Sequence, residues 1–145
     1  MVLSRIGQIF DEDTLCNGFT GSKRGFDIET AATWIKGKYH SLDPDDPRNY
    51  EYLRFLLGDE RWIIAQVFGR EFGRYVESFN KPPQTKWSPL SQDLGLHAVT
   101  LIGNDEANVL CLDPYHCASG QPFVIPNPLL ATFWTGQCAI SPRLA

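Results

Sequence analysis

The chain has 145 residues, 43% hydrophobic and 12% aromatic, enough for one compact domain with a substantial core. Its formal charge is −4 and its pI near 5.3, and no basic cluster breaks that balance, which argues against nucleic acid or an anionic membrane surface as a partner. Its apolar runs fall far short of the ~20 residues a membrane helix needs, so no membrane insertion is expected.

The start, Met-Val-Leu-Ser-Arg-Ile-Gly-Gln, lacks the apolar stretch of a secretory signal, which points to a cytoplasmic location or to export by a route that reads no such signal. Val2, Leu3, Ile6 and Ile9 recur at helical spacing and predict a short helix over residues 1–9. The acidic run Asp11 to Asp13, followed by Leu15 and Cys16, reads as a helical turn that buries the latter two. Gly18, Gly21 and Gly25 punctuate a loop. Asp27 then caps a predicted helix from Ile28 to Tyr39, with Ile28, Ala31, Ala32 and Ile35 on one face. Residues 41–47, with Pro44, Pro47 and several aspartates, form a loop. A second helix is expected from Tyr50 to Leu57, with Tyr52, Leu53, Phe55 and Leu56 facing inward and Gly58-Asp59 stopping it. Trp62 to Phe68 reads as a buried strand, and residues 70–79 fit either a strand or a helix. The polar, proline-bearing loop 81–93 is expected to rim a cleft, with Trp87 as a wall.

Residues 94–114 carry the chemistry. Two apolar, β-rich runs flank the polar turn Gly103-Asn104-Asp105-Glu106, which is a hairpin signal. A turn centred on Asp105 places residue 97 directly opposite residue 113, so His97 and Asp113 would be cross-strand neighbours with Cβ atoms roughly 5 Å apart. A carboxylate beside an imidazole fixes its tautomer and stabilises the imidazolium, the orienting half of a nucleophile-His-Asp triad. The bland alternatives are a core histidine bonded to a carbonyl and an aspartate capping the turn before Pro114. Beyond the hairpin, residues 121–125 predict a short strand, Pro128 to Trp134 a helical turn and Thr135 to Ile140 a closing strand. Trp34, Trp62 and Trp134 read as core. The fold class is α+β: one domain over 1–145, with a helical part at 1–58 and an antiparallel sheet at 59–145.

The cysteines are Cys16, Cys111, Cys117 and Cys138, with no Cys-x-x-Cys pair, which fits a reduced compartment. A zinc site from Cys111, His116, Cys117 and a remote ligand is disfavoured, because Cys111 lies inside a strand. Neither metal nor organic cofactor is expected. Cys111 reads as core and Cys117 as a loop residue.

From about residue 60 onward the chain resembles the papain-like bacteriocin-processing (leader) peptidase domains. "Leu-Gly-Asp-Glu-Arg-Trp-Ile-Ile-Ala-Gln-Val", "Leu-His-Ala-Val-Thr-Leu-Ile-Gly", "Val-Leu-Cys-Leu-Asp-Pro-Tyr" and "Leu-Leu-Ala-Thr-Phe-Trp-Thr-Gly-Gln-Cys-Ala-Ile-Ser-Pro" match the family's elements in order. The resemblance implies a papain-like fold and assigns His97 as the base and Asp113 as the orienting acid. It further implies a peptide or protein substrate and a possible neighbouring domain as partner.

The N-terminal part departs from that pattern. The family places Gln-x5-Cys-Gly at the start of a long helix, with the cysteine as nucleophile. Cys16 is the only cysteine upstream of His97, but Phe10 stands six residues before it and the nearest glutamine is Gln8. In a second register, "Met-Val-Leu-Ser-Arg-Ile-Gly" and "Asp-Glu-Asp-Thr-Leu" match the end of the catalytic helix and the turn after it, and the nucleophile would lie upstream of Met1. Cys16-Asn17-Gly18-Phe19 also loosely resembles the nucleophile turn of papain-superfamily cell-wall amidases. The expected activity is amide hydrolysis by Cys16, His97 and Asp113, with Gln8 or backbone N–H groups at the oxyanion. The alternatives are an inactive binding module of this fold, or a bacterial toxin or effector built on it.

Overall fold

The computed structural model describes residues 27–79, 95–113 and 122–143. The expectations for residues 1–26, the 81–93 loop, His116 and Cys117 lie outside them.

The described chain holds four helices and six strands: α1 (Ile28–Trp34), β1 (Lys38–Ser41), α2 (Pro47–Gly58), β2 (Ile63–Phe68), α3 (Gly69–Glu77), β3 (Leu96–Asn104), β4 (Asn108–Leu112), β5 (Phe123–Pro126), α4 (Asn127–Phe133) and β6 (Trp134–Ile140). The strands form one antiparallel sheet in the order β1-β6-β2-β3-β4-β5. The α+β class stands, but helices and strands are not segregated. β1 falls in the part expected to be helical and pairs with β6, Lys38 opposite Ile140.

Alternation along the strands gives the sheet two apolar faces. On one, Ile63, Ala65, Val67, Val99, Leu101, Val109, Cys111, Ile125 and Cys138 pack with Leu53, Leu56 and Leu57 of α2, Phe72 and Val76 of α3, and Leu130 and Phe133 of α4. On the other, Ile64, Ala98 and Ala139 pack against Ile28, Ala31 and Ala32 of α1 and Ile35 just beyond it. Trp62 and Trp134 are buried, while Trp34 is half-buried.

Asp27 caps α1 as expected, its carboxylate accepting the Glu29 N–H at 3.0 Å. The helix ends at Trp34, not Tyr39. Gly37 N–H donates to Ala32 O at 2.8 Å and Lys36 N–H to Thr33 O at 3.2 Å, the paired bonds of a Schellman stop. Lys36 takes the left-handed position, φ 54°. Glycine normally stands there, but here it falls one residue later, where a Cβ on Gly37 would lie 2.0 Å from Ile140 O.

α2 starts at Pro47 with Asp46 as its cap, earlier than the apolar pattern indicates, since proline at the first turn costs no hydrogen bond. Its inward face is Tyr50, Leu53, Leu56 and Leu57. Tyr52 and Phe55, expected inside, are exposed, because the helix turns the 50-53-57 stripe to the sheet. The ambiguous segment 70–79 resolves as α3, with Phe72 and Val76 one turn apart facing the core.

Candidate active site

β2 and β3 pair with Val67 opposite His97, so both side chains enter the face that packs on α3. Gly69 N–H bonds Gly95 O at 2.9 Å and pins the start of β3, where Gly95 takes φ +71°. The imidazole lies on the Phe72 ring, centroids 5.8 Å apart at 32°. Phe72 in turn contacts Phe123 and Phe133, so the histidine rests on an aromatic floor.

Asp113 follows directly on β4. His97 Nε2 and Asp113 Oδ1 are 2.7 Å apart, with 4% and 0% of the side chains exposed. A carboxylate only accepts hydrogen bonds, so Nε2 carries the proton in this contact, and the lone pair of a neutral ring then sits on Nδ1. Nδ1 is the atom that could take a proton from a thiol.

The two residues are not directly opposed as expected. Thr100 pairs with Leu112 and Leu101 with Cys111, a register that puts Asp113 level with Val99, two residues along from His97 on the same face. The turn also lies further on, at residues 105–108, closed by Asp105 N–H to Asn108 O at 2.9 Å. Asp105 Oδ1 accepts from Ala107 N–H and Asn108 N–H, both at 2.8 Å, and these bonds hold its carboxyl below its usual range. Arg54 and Asn127 tie the turn to α2 and α4 through the carbonyls of Asp105 and Glu106. Burial pushes the Tyr50 phenol up, and its O–H bonds Asn127 Oδ1.

Near the turn, Gly103 pairs with Leu110 and Asn104 with Val109. The register shifts between Leu101 and Gly103, so Ile102 is an extra residue on β3. Continued without that bulge, the turn-proximal register would set Asp113 level with Thr100, facing away from His97. Leaving Ile102 unpaired restores the parity that brings acid and base together. The bulge was missed in the sequence, although a glycine inside a strand pattern, Gly103, is its known signal.

Cys111 precedes Asp113 by two residues, fully buried in the core. Burial first, and the Asp113 charge second, push its thiol well above the usual range. Burial likewise pushes Cys138 up to about 12. Neither thiol supplies a thiolate at neutral pH. Cys16, the expected nucleophile, and Gln8 lie outside the described residues. Among the described residues no three His, Cys, Asp or Glu side chains gather to hold a metal, and no helix is long and apolar enough to cross a membrane.

Comparison of the chain with protein-family models, with curated proteins and with solved structures gives no match.

Proposed function

We propose that this chain is a papain-like thiol hydrolase that cleaves a peptide amide, with Cys16 as nucleophile, His97 as proton shuttle and Asp113 as the acid that orients His97. The observation that carries this reading is the buried 2.7 Å contact made through Nε2. With that nitrogen held, Nδ1 takes the thiol proton and the sulfur adds to the carbonyl carbon. Collapse breaks the C–N bond as His97 returns the proton to the leaving amine, giving a thioester. Water then gives a proton to Nδ1, its oxygen attacks the thioester, and the thiolate leaves to recover the proton. The raised Cys111 and Cys138 thiols support Cys16 by removing two of the four cysteines from contention. A cytoplasmic setting and a peptide or protein substrate accompany this reading, for a leader-processing enzyme and a toxin or effector alike.

A second reading is favoured by the low exposure of both site side chains. There the pair is a structural hydrogen bond in an inactive binding module whose nucleophile is missing.

Iodoacetamide labelling at neutral pH with mass mapping separates the two. The enzyme requires Cys16 to react first and to slow in His97→Ala, because thiolate fraction sets the rate. Cys16 inert in the folded protein, with Cys117 reacting ahead of it, would end the peptidase reading.

A further inference from the structure

At the other end of the sheet a cleft of about 330 Å³ opens between β1 and α2. It lies roughly 13 Å from the His97 level along β2 and three strand spacings across the sheet, so it is a separate place. Its size falls in the range of small-molecule sites. Leu56 and Ile140 contribute apolar surface to it. Tyr52, 43% exposed, forms a wall and meets His40 edge-on with centroids 6.4 Å apart.

The charge in this cleft is one-sided. Lys36, Lys38 and Arg61 line it, and among the described residues no carboxylate does, in a chain whose net charge is −4. Neither lysine has an ion pair among the described residues. Arg61 is already aimed: Nε donates to Asp59 Oδ2 at 3.2 Å and Nη1 to Ser141 O at 3.1 Å. Asp59 is shared with Arg143, so the carboxylate nearest Arg61 serves two guanidinium groups.

The conformation of Lys36 is an independent sign. It occupies the left-handed position of the α1 stop, φ 54°, where glycine would be relaxed. A strained backbone residue whose side chain lines a cleft is a pointer to function. Lys38 on an edge strand has an ordinary use, deterring strand-to-strand aggregation. Lys36 lies outside the strand, and that use does not explain it.

We propose that this cleft binds a small phosphate monoester, its dianionic head held by Lys36, Lys38 and Arg61 and its organic group set against Tyr52. Two ammonium groups and a guanidinium suit a phosphate dianion, which offers more acceptor sites than a carboxylate.

The test is calorimetric titration of the full chain with phenyl phosphate, inorganic phosphate and benzoate, repeated on a Lys36→Gly, Lys38→Gln double variant. Lys36→Gly removes the cation and relieves the backbone, so the single Lys36→Gly variant should melt roughly 2–4 °C higher than the parent, which shows the fold intact. The proposal requires one saturable site, with phenyl phosphate binding more tightly than either inorganic phosphate or benzoate. It also requires the double variant to weaken that site by about ten-fold or more. Saturation absent up to about 10 mM, corresponding to binding weaker than roughly −3 kcal/mol, overturns it. So does benzoate binding as well as phenyl phosphate, or affinity unchanged in the double variant. Aggregation of the double variant with no binding in the parent would leave the lysines as edge protection alone, and also overturns it.

Discussion

His97 and Asp113 meet on a diagonal of the sheet, and they share a face because Ile102 is left out of the ladder. Nε2 and Oδ1 stand 2.7 Å apart although the residues are not ladder partners. Because side chains alternate, pairing Ile102 in the ladder would set Asp113 level with Thr100 and turn it to the other face. Deleting Ile102 makes Gly103–Leu110 and Leu101–Cys111 consecutive pairs and leaves Asp113 level with Val99, so the contact should survive loss of the bulge. The measurement is the imidazole ¹⁵N spectrum, which distinguishes the Nε2–H tautomer. A lost His97 signature in the deletion variant would show that Ile102 does more than correct the count of residues between turn and site.

Replacing Asp113 itself separates orientation from stability. Asp113→Ala leaves a buried imidazole N–H without its acceptor and should cost about 1.5–3 kcal/mol in urea unfolding. Asp113→Asn retains an acceptor oxygen and should fold nearly normally. If the chain hydrolyses amides, that variant should lose orders of magnitude in rate, because the amide no longer stabilises the imidazolium and can hold the wrong tautomer. Full activity in Asp113→Asn would remove the aspartate from the mechanism.

Much of this was legible from residue order alone. Asp27 as a cap, the closing β6, and a hairpin joining His97 to Asp113 follow from local capping and alternation, which act over a few residues. What was not legible depends on contacts distant in sequence. α1 stops at Trp34 with Lys36 in the left-handed position, and the glycine stands one residue later, where a Cβ would meet Ile140 O from the far end of the chain. Tyr52 and Phe55 look like core by composition, but the sheet meets α2 through Tyr50, Leu53 and Leu57. The diagonal of the site depends on one residue skipped by the ladder, and alternation by itself does not show where pairing skips.

The turn that supports the site should be acid-sensitive. Backbone N–H groups of Ala107 and then Asn108 hold the folded Asp105 carboxyl below its ordinary value of 3.8. A depressed folded value adds stability that is present above 3.8 and is lost as pH falls through the lower folded value. Asp105→Asn should therefore be less stable than the parent at neutral pH, and the gap should close as pH falls below 3.8 and through the lower folded value. Denaturation midpoints measured across that range check the sign. A gap that is constant with pH would mean the carboxylate charge adds nothing.

Glycines at two positions should respond in opposite directions. Gly136 sits at φ +95° in a bulge of β6, its carbonyl accepting from Leu42 N–H at 2.9 Å. A Cβ there would lie 1.9 Å from Leu42 O. Gly136→Ala should cost about 2 kcal/mol or more, from strain and the loosened link to the chain after β1. Gly58, the last residue of α2, has nothing within 4 Å of an added Cβ. Gly58→Ala should be neutral or stabilising by up to roughly 1 kcal/mol. Thermal melts of the two variants side by side would contradict this account if both moved the same way.

The two core thiols offer a direct view of opening. Cys111 is fully buried and Cys138 nearly so, and burial raises both, Cys138 to about 12. At pH 8 an aromatic disulfide reagent should therefore leave both unmodified in the folded protein and modify both in guanidinium. Because both lie in the same apolar cluster, on β4 and β6, they should become reactive together and at a rate set by global unfolding. Gly136→Ala should accelerate both in proportion to its loss of stability. Cys111 reacting well before Cys138 would instead mean that the strand leading to Asp113 opens by itself, exposing the His97 site without unfolding the rest of the sheet.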